Sequence, residues 1–205
     1  NLKINKKKFI YLISPNKIHT GFYKDLKLVL KTDKVTFFQL RLKNYPLKQK
    51  IRIGKKIKNI CNENNVKFII NDDPILALTL NAHGCHLGQK DMNIKEAKKI
   101  LGKKIVGITC HNSLNLAKKA IKAKANYIAF GSFFISKTKK TKYKASFNLL
   151  KKIKKFNKIP IVAIGGINSN NYKNLLLNNA NFLAISGYIW KNKKYKPLEA
   201  IERLK

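Results

Sequence analysis

Residues 105–130 read IVGITCHNSLNLAKKAIKAKANYIAF. The stretch opens on Ile105–Thr109, apolar or β-branched almost throughout and short enough for a strand. Asn112 and Ser113 then supply a helix start. Leu114, Ala117, Ala120 and Ile121 follow at helical spacing with lysines between them. A second strand-like run, Tyr127–Phe130, closes the stretch. A strand that is apolar on both faces, then an amphipathic helix, then another such strand is the βαβ unit of a parallel sheet covered on both sides.

The unit decides the fold because it recurs along the chain. Similar runs stand at Phe9–Ser14, Thr36–Arg41, Phe68–Asn71, Cys85–Leu87, Ile161–Ile164 and Phe182–Ser186, making eight strand candidates in all. Leu47, Ile51, Ile57 and Ile60 mark a further helix, and Pro46, Asp73-Pro74, Asn93 before Glu96, and Asn168-Ser169 read as helix openings. Eight strand–helix units predict an α/β fold, a closed (β/α)8 TIM barrel, occupying residues 1–205 as a single domain. An open doubly wound sheet is the alternative, but no Gly-rich dinucleotide fingerprint follows the first strand.

Hydrophobic residues make up 44% of the 205, enough to bury a core and to set disorder aside. The longest apolar run falls far below the roughly 18 residues that span a bilayer, so no membrane partner is expected. Residues 1–8 are basic, and the apolar stretch after them is too short for a signal-peptide core, so a cytoplasmic location is the expectation. Cys61, Cys85 and Cys110 are widely spaced and read as small buried hydrophobes.

Lys and Arg number 45 against 9 Asp and Glu, a formal charge of +36. Clustered lysines would point to nucleic acid. Here they spread over the whole chain among many Asn and Ile, as a compositional bias produces, so nucleic acid is not the expected partner. In such a background each surviving acid carries information.

In a barrel of this kind the C-terminal ends of the strands converge on one mouth, where active sites lie. Strand two ends Gln39-Leu40-Arg41-Leu42-Lys43, and period-two alternation places Gln39, Arg41 and Lys43 on one side. They are either solvated strand-end charges or an anion grip, for which the planar Arg fork is suited. Strand three ends Asn71-Asp72-Asp73-Pro74; Asp73 reads as a helix cap, leaving Asn71 and Asp72 projecting. Strand four runs into Gly88-Gln89-Lys90-Asp91. Asp72 and Asp91 taken singly are caps or ion-pair partners; taken together they form a hard-oxygen site that suits Mg2+ with water and phosphate oxygens. Strand five ends Thr109-Cys110-His111, a hydroxyl and a base or structural histidine. His86 reads as a satisfied core histidine, and His83 has no context. After strand six, Ser136, Thr138 and Lys139 have the residue types that wrap a polyphosphate, or else form a solvated loop. Gly165-Gly166 after strand seven and Ile185-Ser186 at the end of strand eight fall where such barrels often bind a phosphate.

The series Gln39-x-Arg41-x-Lys43, Ile70-Asn71-Asp72, His86-Leu87-Gly88-Gln89-x-Asp91, Gly107-x-Thr109-x-His111, Ser136-x-Thr138-Lys139 and Ala163-Ile164-Gly165-Gly166-Ile167 resembles the thiamine phosphate synthase family, over roughly Tyr11 to Ile189. The resemblance implies transfer of a pyrimidinylmethyl group, joining 4-amino-2-methyl-5-(hydroxymethyl)pyrimidine diphosphate to 4-methyl-5-(2-phosphoethyl)thiazole or its carboxylated form, with release of diphosphate. It implies that Gln39, Arg41 and Lys43 contact the pyrimidine diphosphate, that Asn71 binds the pyrimidine side, and that Asp72 and Asp91 hold Mg2+. Thr109 is implied at the substrate, where the family usually has Ser. Lys139 is implied at the diphosphate, Ser136 and Thr138 on the thiazole-phosphate and diphosphate side, and Gly166, Ile185 and Ser186 at the thiazole phosphate. Arg41, Lys43 and Lys139 are thereby the expected catalytic cations, and His111 a residue behind the reacting groups.

This chain departs from the family pattern in places. Ser136 replaces a usual Thr, Ser132 and Ile135 stand where Pro is common, and His83 replaces a frequent Asp. A related group on the same barrel, the TenI-like thiazole tautomerases, transfers a proton without the diphosphate and metal set; Arg41, Asp72, Asp91 and Lys139 argue against it. The sequence leaves room for a homo-oligomer.

Overall fold

The computed structural model describes residues 8–135 and 142–205. Eight parallel strands, β1 (Ile10–Ile13), β2 (Val35–Leu40), β3 (Lys67–Asn71), β4 (Gly84–Leu87), β5 (Ile105–Thr109), β6 (Tyr127–Gly131), β7 (Ile161–Ile164) and β8 (Phe182–Ile185), pair in sequence order. β8 closes on β1, with Ile10, Tyr11 and Leu12 opposite Leu183, Ala184 and Ile185. The expected (β/α)8 barrel therefore forms, with each strand within about a residue of its expected place.

The helices are α1 (Phe22–Leu30), α2 (Leu47–Glu63), α3 (Pro74–Thr79), α4 (Ile94–Leu101), α5 (Leu114–Lys122), α6 (Phe147–Lys154), α7 (Tyr172–Leu177), α8 (Gly187–Trp190) and α9 (Pro197–Glu202). Asp73, Asn93 and Ser113 cap α3, α4 and α5 as expected, each side-chain oxygen accepting from the backbone N–H three residues on. Two expectations shift. Leu47 is 60% exposed, because it opens α2 directly after Pro46, beyond the layer that packs on the sheet; the buried stripe is Ile53, Ile57, Ile60 and Cys61. The last long loop does not enter a helix at Asn168-Ser169: Asn168, Asn170 and Asn171 hydrogen-bond one another first, and α7 starts at Tyr172. All three cysteines are buried and free. No helix among the described residues is long and apolar enough to cross a membrane.

The core has two layers. Between strands and helices lies one large cluster, and inside the barrel a smaller one of Tyr11, Phe37, Ile69, Tyr127, Ala129, Val162, Phe182 and Ala184. Gly107 makes the inner layer possible, since a Cβ there would lie 2.0–2.3 Å from three atoms of the Tyr127 ring.

At the opposite end from the mouth, an N–H near the start of each of β3, β5 and β7 is met by a side chain rather than by a neighbouring strand. Asn126 accepts from Val106 N–H at 2.9 Å and donates its own N–H to the Val106 carbonyl at 2.7 Å. Asn181 does the same to Ile161, at 2.8 and 2.9 Å. His83 does so to Phe68, using Nδ1 at 3.0 Å and its N–H at 2.8 Å. The recurring pairs Ala82-His83, Ala125-Asn126 and Ala180-Asn181 are the sequence trace of this clasp. The acceptor needed there explains why His83 can stand in for a carboxylate.

Candidate active site

The mouth is assembled from strand ends that Ser14 ties together. Ser14 is buried; its hydroxyl accepts from the Arg41 N–H at 2.8 Å, and its carbonyl accepts from the Ser186 hydroxyl at 3.2 Å. One serine at the end of β1 thus fixes the exits of β2 and β8. It ends its strand as a lone polar residue after an apolar run, the signal by which it could have been found.

Gln39 is buried inside the barrel and donates from Nε2 to the Tyr11 hydroxyl at 2.9 Å. β2 ends at Leu40, yet Leu40 and Leu42 stay buried while Arg41 and Lys43 do not, so the alternation runs on past the strand. Arg41 and Lys43 are held by loop contacts. Arg41 Nη1 donates to Asn16 Oδ1 at 3.3 Å, and Lys43 Nζ lies 3.8 Å from Asp72 Oδ2. Among the described residues two ion pairs form, Lys8 with Asp33 and this one at the mouth.

Asp72 turns out of β3 with φ +64° and donates its backbone N–H to the His86 carbonyl at 2.8 Å. Asp91 is drawn in by a tight loop, its Oδ2 accepting from Gly88 N–H at 2.7 Å. The two acids thus stand at the ends of neighbouring paired strands. Burial, then a hydrogen bond and like charge from Asp91, hold the Asp72 carboxyl above the usual carboxylate range, while Lys43 and Arg41 pull it down. The like charge of Asp91 on a half-buried Asp72 is a repulsion that a bound cation would relieve. No cluster of three or more His, Cys, Asp or Glu occurs among the described residues. The donor set therefore fits a hard ion that fills its other positions with water and phosphate, as Mg2+ does, rather than a zinc cage. Asn71 and Asp72 also line a cavity of about 300 Å3 with Lys43, Lys50 and Leu76.

Across the mouth, Thr109 Oγ1 hydrogen-bonds His86 Nε2 at 2.8 Å, and the Thr109 carbonyl accepts from Gln89 Nε2 at 2.6 Å. His86 Nδ1 hydrogen-bonds the Tyr127 hydroxyl at 2.8 Å, so His86 is the satisfied histidine the sequence predicted. His111 has φ +52° and its ring stacks on Tyr143 at 4.1 Å.

Gly165 and Gly166 adopt φ of +110° and +62°. A Cβ on the first would come within 2.7 Å of Ser132 Cα, and on the second within 2.5 Å of the Ile135 carbonyl. The protein's own loop after β6 also approaches these glycines closely, its Phe133 and Phe134 N–H groups donating to the Ile164 and Gly165 carbonyls at 3.1 Å. Ile185 is buried at the end of β8, and Ser186 leads into α8. Ser136, Thr138 and Lys139 lie outside the described residues.

The structure thus brings Lys43, Asp72 and Asp91 together, sets Arg41 beside them, and places Gln39 and Thr109 at two ends of one buried hydrogen-bonded chain. A family profile described as thiamine monophosphate synthase matches residues 10–189. The chain belongs to the thiamine monophosphate synthase family. A thiamine-phosphate synthase of Pelagibacter ubique (strain HTCC1062) is 67% identical over 204 residues, 99% of this chain and 98% of that one. One from Erythrobacter litoralis (strain HTCC2594) is 39% identical, over 93% and 92%. Among solved structures, a thiamine phosphate pyrophosphorylase from Pyrococcus furiosus superposes with a TM-score of 0.86 at 30% identity, covering 100% of this chain and 96% of that one.

Two histidines of this barrel make fold stability depend on pH. Burial holds His86 down to about 4, and burial with Lys67, Lys104 and Lys58 lowers His83. Both are therefore neutral in the folded protein at a pH where the unfolded chain, near 6.5, takes up protons. Their stabilising effect is complete above about pH 6.5 and is lost as pH falls toward 4. His86 alone accounts for on the order of 3 kcal/mol over that window. Urea unfolding at pH 7.5, 5.5 and 4.5, in chelator, should show stability falling with acidification; a flat or rising profile would contradict the neutral folded state of the two rings.

Proposed function

We propose that this member of the family is a thiamine-phosphate synthase that joins the hydroxymethylpyrimidine diphosphate to the thiazole phosphate, with Mg2+ held by Asp72 and Asp91. The observation that carries this reading is the gathering of Asp72 and Asp91, from the ends of the paired strands β3 and β4, with Lys43 3.8 Å from Asp72 at the barrel mouth. Mg2+ bound there would supply divalent positive charge to the diphosphate oxygens.

The protein's own groups meet the needs of a displacement in which the C–O bond to diphosphate breaks first. The bonding pair leaves with the diphosphate, and Arg41, Lys43 and Lys139 are the cations assigned to its growing negative charge. The electron-rich aminopyrimidine stabilises the remaining methylene cation, and the thiazole nitrogen closes the new C–N bond. No strong base is required, which agrees with His86 and His111 being engaged in hydrogen bonding and stacking. Gln39, Asn71 and Thr109 are assigned to the pyrimidine side, where orientation converts encounter into reaction. Ser136 and Thr138 are assigned to the two phosphate groups, and Gly166, Ile185 and Ser186 to the thiazole phosphate. Asp72, Asp91 and Arg41 set this reading above a thiazole tautomerase, which has no diphosphate to expel, and the dispersed lysines set it above nucleic-acid binding.

Diphosphate release measured with both substrates tests the reading. Release should require both, stop in excess chelator and return with added Mg2+. Absence of release with both substrates and Mg2+ would overturn the proposed activity, and undiminished release in chelator would overturn the metal assignment.

A further inference from the structure

Five polar side chains from five strands join end to end inside the barrel. Gln39 of β2 donates to the Tyr11 hydroxyl of β1 at 2.9 Å; Tyr11 and Tyr127 of β6 share a hydrogen bond of 2.7 Å; Tyr127 meets His86 Nδ1 of β4 at 2.8 Å; and His86 Nε2 meets Thr109 Oγ1 of β5 at 2.8 Å. The Tyr11 and Tyr127 rings are both almost fully buried. A purely packing role would be served as well by Phe at both positions.

The order of donors follows from one end. Each phenol has a single proton. The Tyr11 oxygen accepts from the Gln39 amide, so its proton goes to the Tyr127 oxygen. Tyr127 then gives its proton to His86 Nδ1, which must be bare. A neutral imidazole with bare Nδ1 carries its proton on Nε2. That proton points at Thr109 Oγ1, which becomes an acceptor. Among the described residues, Thr109 Oγ1 has His86 as its hydrogen-bond partner, which leaves the threonine's own proton over.

We infer that His86 is a positioning residue: the ordered chain from Gln39 through Tyr11 and Tyr127 fixes its tautomer so that the Thr109 hydroxyl is turned outward as a hydrogen-bond donor to the substrate. The inference rests on the proposed synthase reading for the identity of that substrate. It makes Thr109 a donor-only group toward the ligand, selecting an acceptor such as a ring nitrogen or a diphosphate oxygen over an amino group. It also joins Gln39 and Thr109, two residues assigned to the same substrate half, into one unit whose hydrogen directions are set together. An ordered buried chain of this kind avoids the cost of re-orienting dipoles during the reaction.

Two measurements test it. Long-range 1H–15N correlation spectra of the histidine-labelled wild-type protein should show His86 with a protonated Nε2 and an unprotonated Nδ1. The opposite tautomer would overturn the inference without touching the synthase reading. In the diphosphate-release assay, Thr109→Val and His86→Phe should each lower kcat by about tenfold, as loss of one oriented hydrogen bond does. Combined, they should cost no more than either alone, because His86 acts through Thr109. Losses that multiply in the double variant would overturn the inference, as would wild-type turnover in Thr109→Val. Thr109→Ser, which keeps the hydroxyl, should retain turnover within about threefold. Tyr127→Phe keeps the buried ring should His86→Phe fail to fold; it should mix the His86 tautomers and lower kcat, and an unchanged tautomer would count against the chain. Failure of the synthase reading is separable, since wild-type protein would then release no diphosphate while the tautomer could still be read.

Discussion

The double variant Asp72→Asn with Asp91→Asn is expected to lose at least two orders of magnitude in turnover, and each single variant at least one, because each removes a unit of ligand charge from a hard-cation site. Asparagine keeps the size and an acceptor oxygen, so the Gly88 N–H that donates to Asp91 at 2.7 Å retains a partner. The expected accompaniment is a gain in stability of the metal-free protein. Asp72 is held above its ordinary range by burial and by Asp91, so the ionised pair is a destabilising feature of the fold at neutral pH. Removing one charge relieves it. A residue kept for structure would give the reverse, lower stability with activity lost in proportion. Thermal melts in chelator beside Mg2+-dependent diphosphate release check both halves; full activity in the double variant would refute the metal assignment.

The legible part of this molecule is the part written locally. Strands such as Ile105–Thr109 and Ile161–Ile164 could be bounded because both of their faces are apolar and helix punctuation follows. Asp72 and Asp91 could be paired because both end neighbouring strands, and a barrel turns strand ends into neighbours. Periodicity says less where a regular element stops. Arg41 and Lys43 lie past the end of β2, and contacts with Ser14, Asn16 and Asp72 hold them. Leu47 lies too near the start of α2 to reach the core, and the asparagine turn at 168–171 delays α7.

Contacts across the barrel were not legible at all. Tyr11 and Tyr127 are 116 positions apart and meet only on closure. Neither carries a motif, because a tyrosine in a strand reads first as a large apolar residue. Gly107 had the same ambiguity, a small residue in a strand with no partner in view, and its meaning depends entirely on what stands opposite.

That dependence yields the second large effect. Gly107→Ala should lower stability by about 3 kcal/mol, the upper end of ordinary core overpacking, and the melting temperature by about 6–12 °C for a chain of this size. The new methyl would lie 2.0–2.3 Å from the ζ and ε carbons of Tyr127, which is walled in by the stacked His86 ring and by Tyr11. The interior is close-packed, so the ring cannot simply slide. Any shift also breaks the hydrogen bonds from Tyr127 to Tyr11 and His86, at 2.7 and 2.8 Å. Tyr127→Phe in the Gly107→Ala background should recover nothing, since the overlap is with ring carbons. Tyr127→Leu should recover part of the loss, because it removes the overlapping atoms while leaving an apolar side chain in place. Thermal melts of the four proteins check this, and a Gly107→Ala variant that melts with the wild type would show that the inner layer yields more easily than its geometry implies.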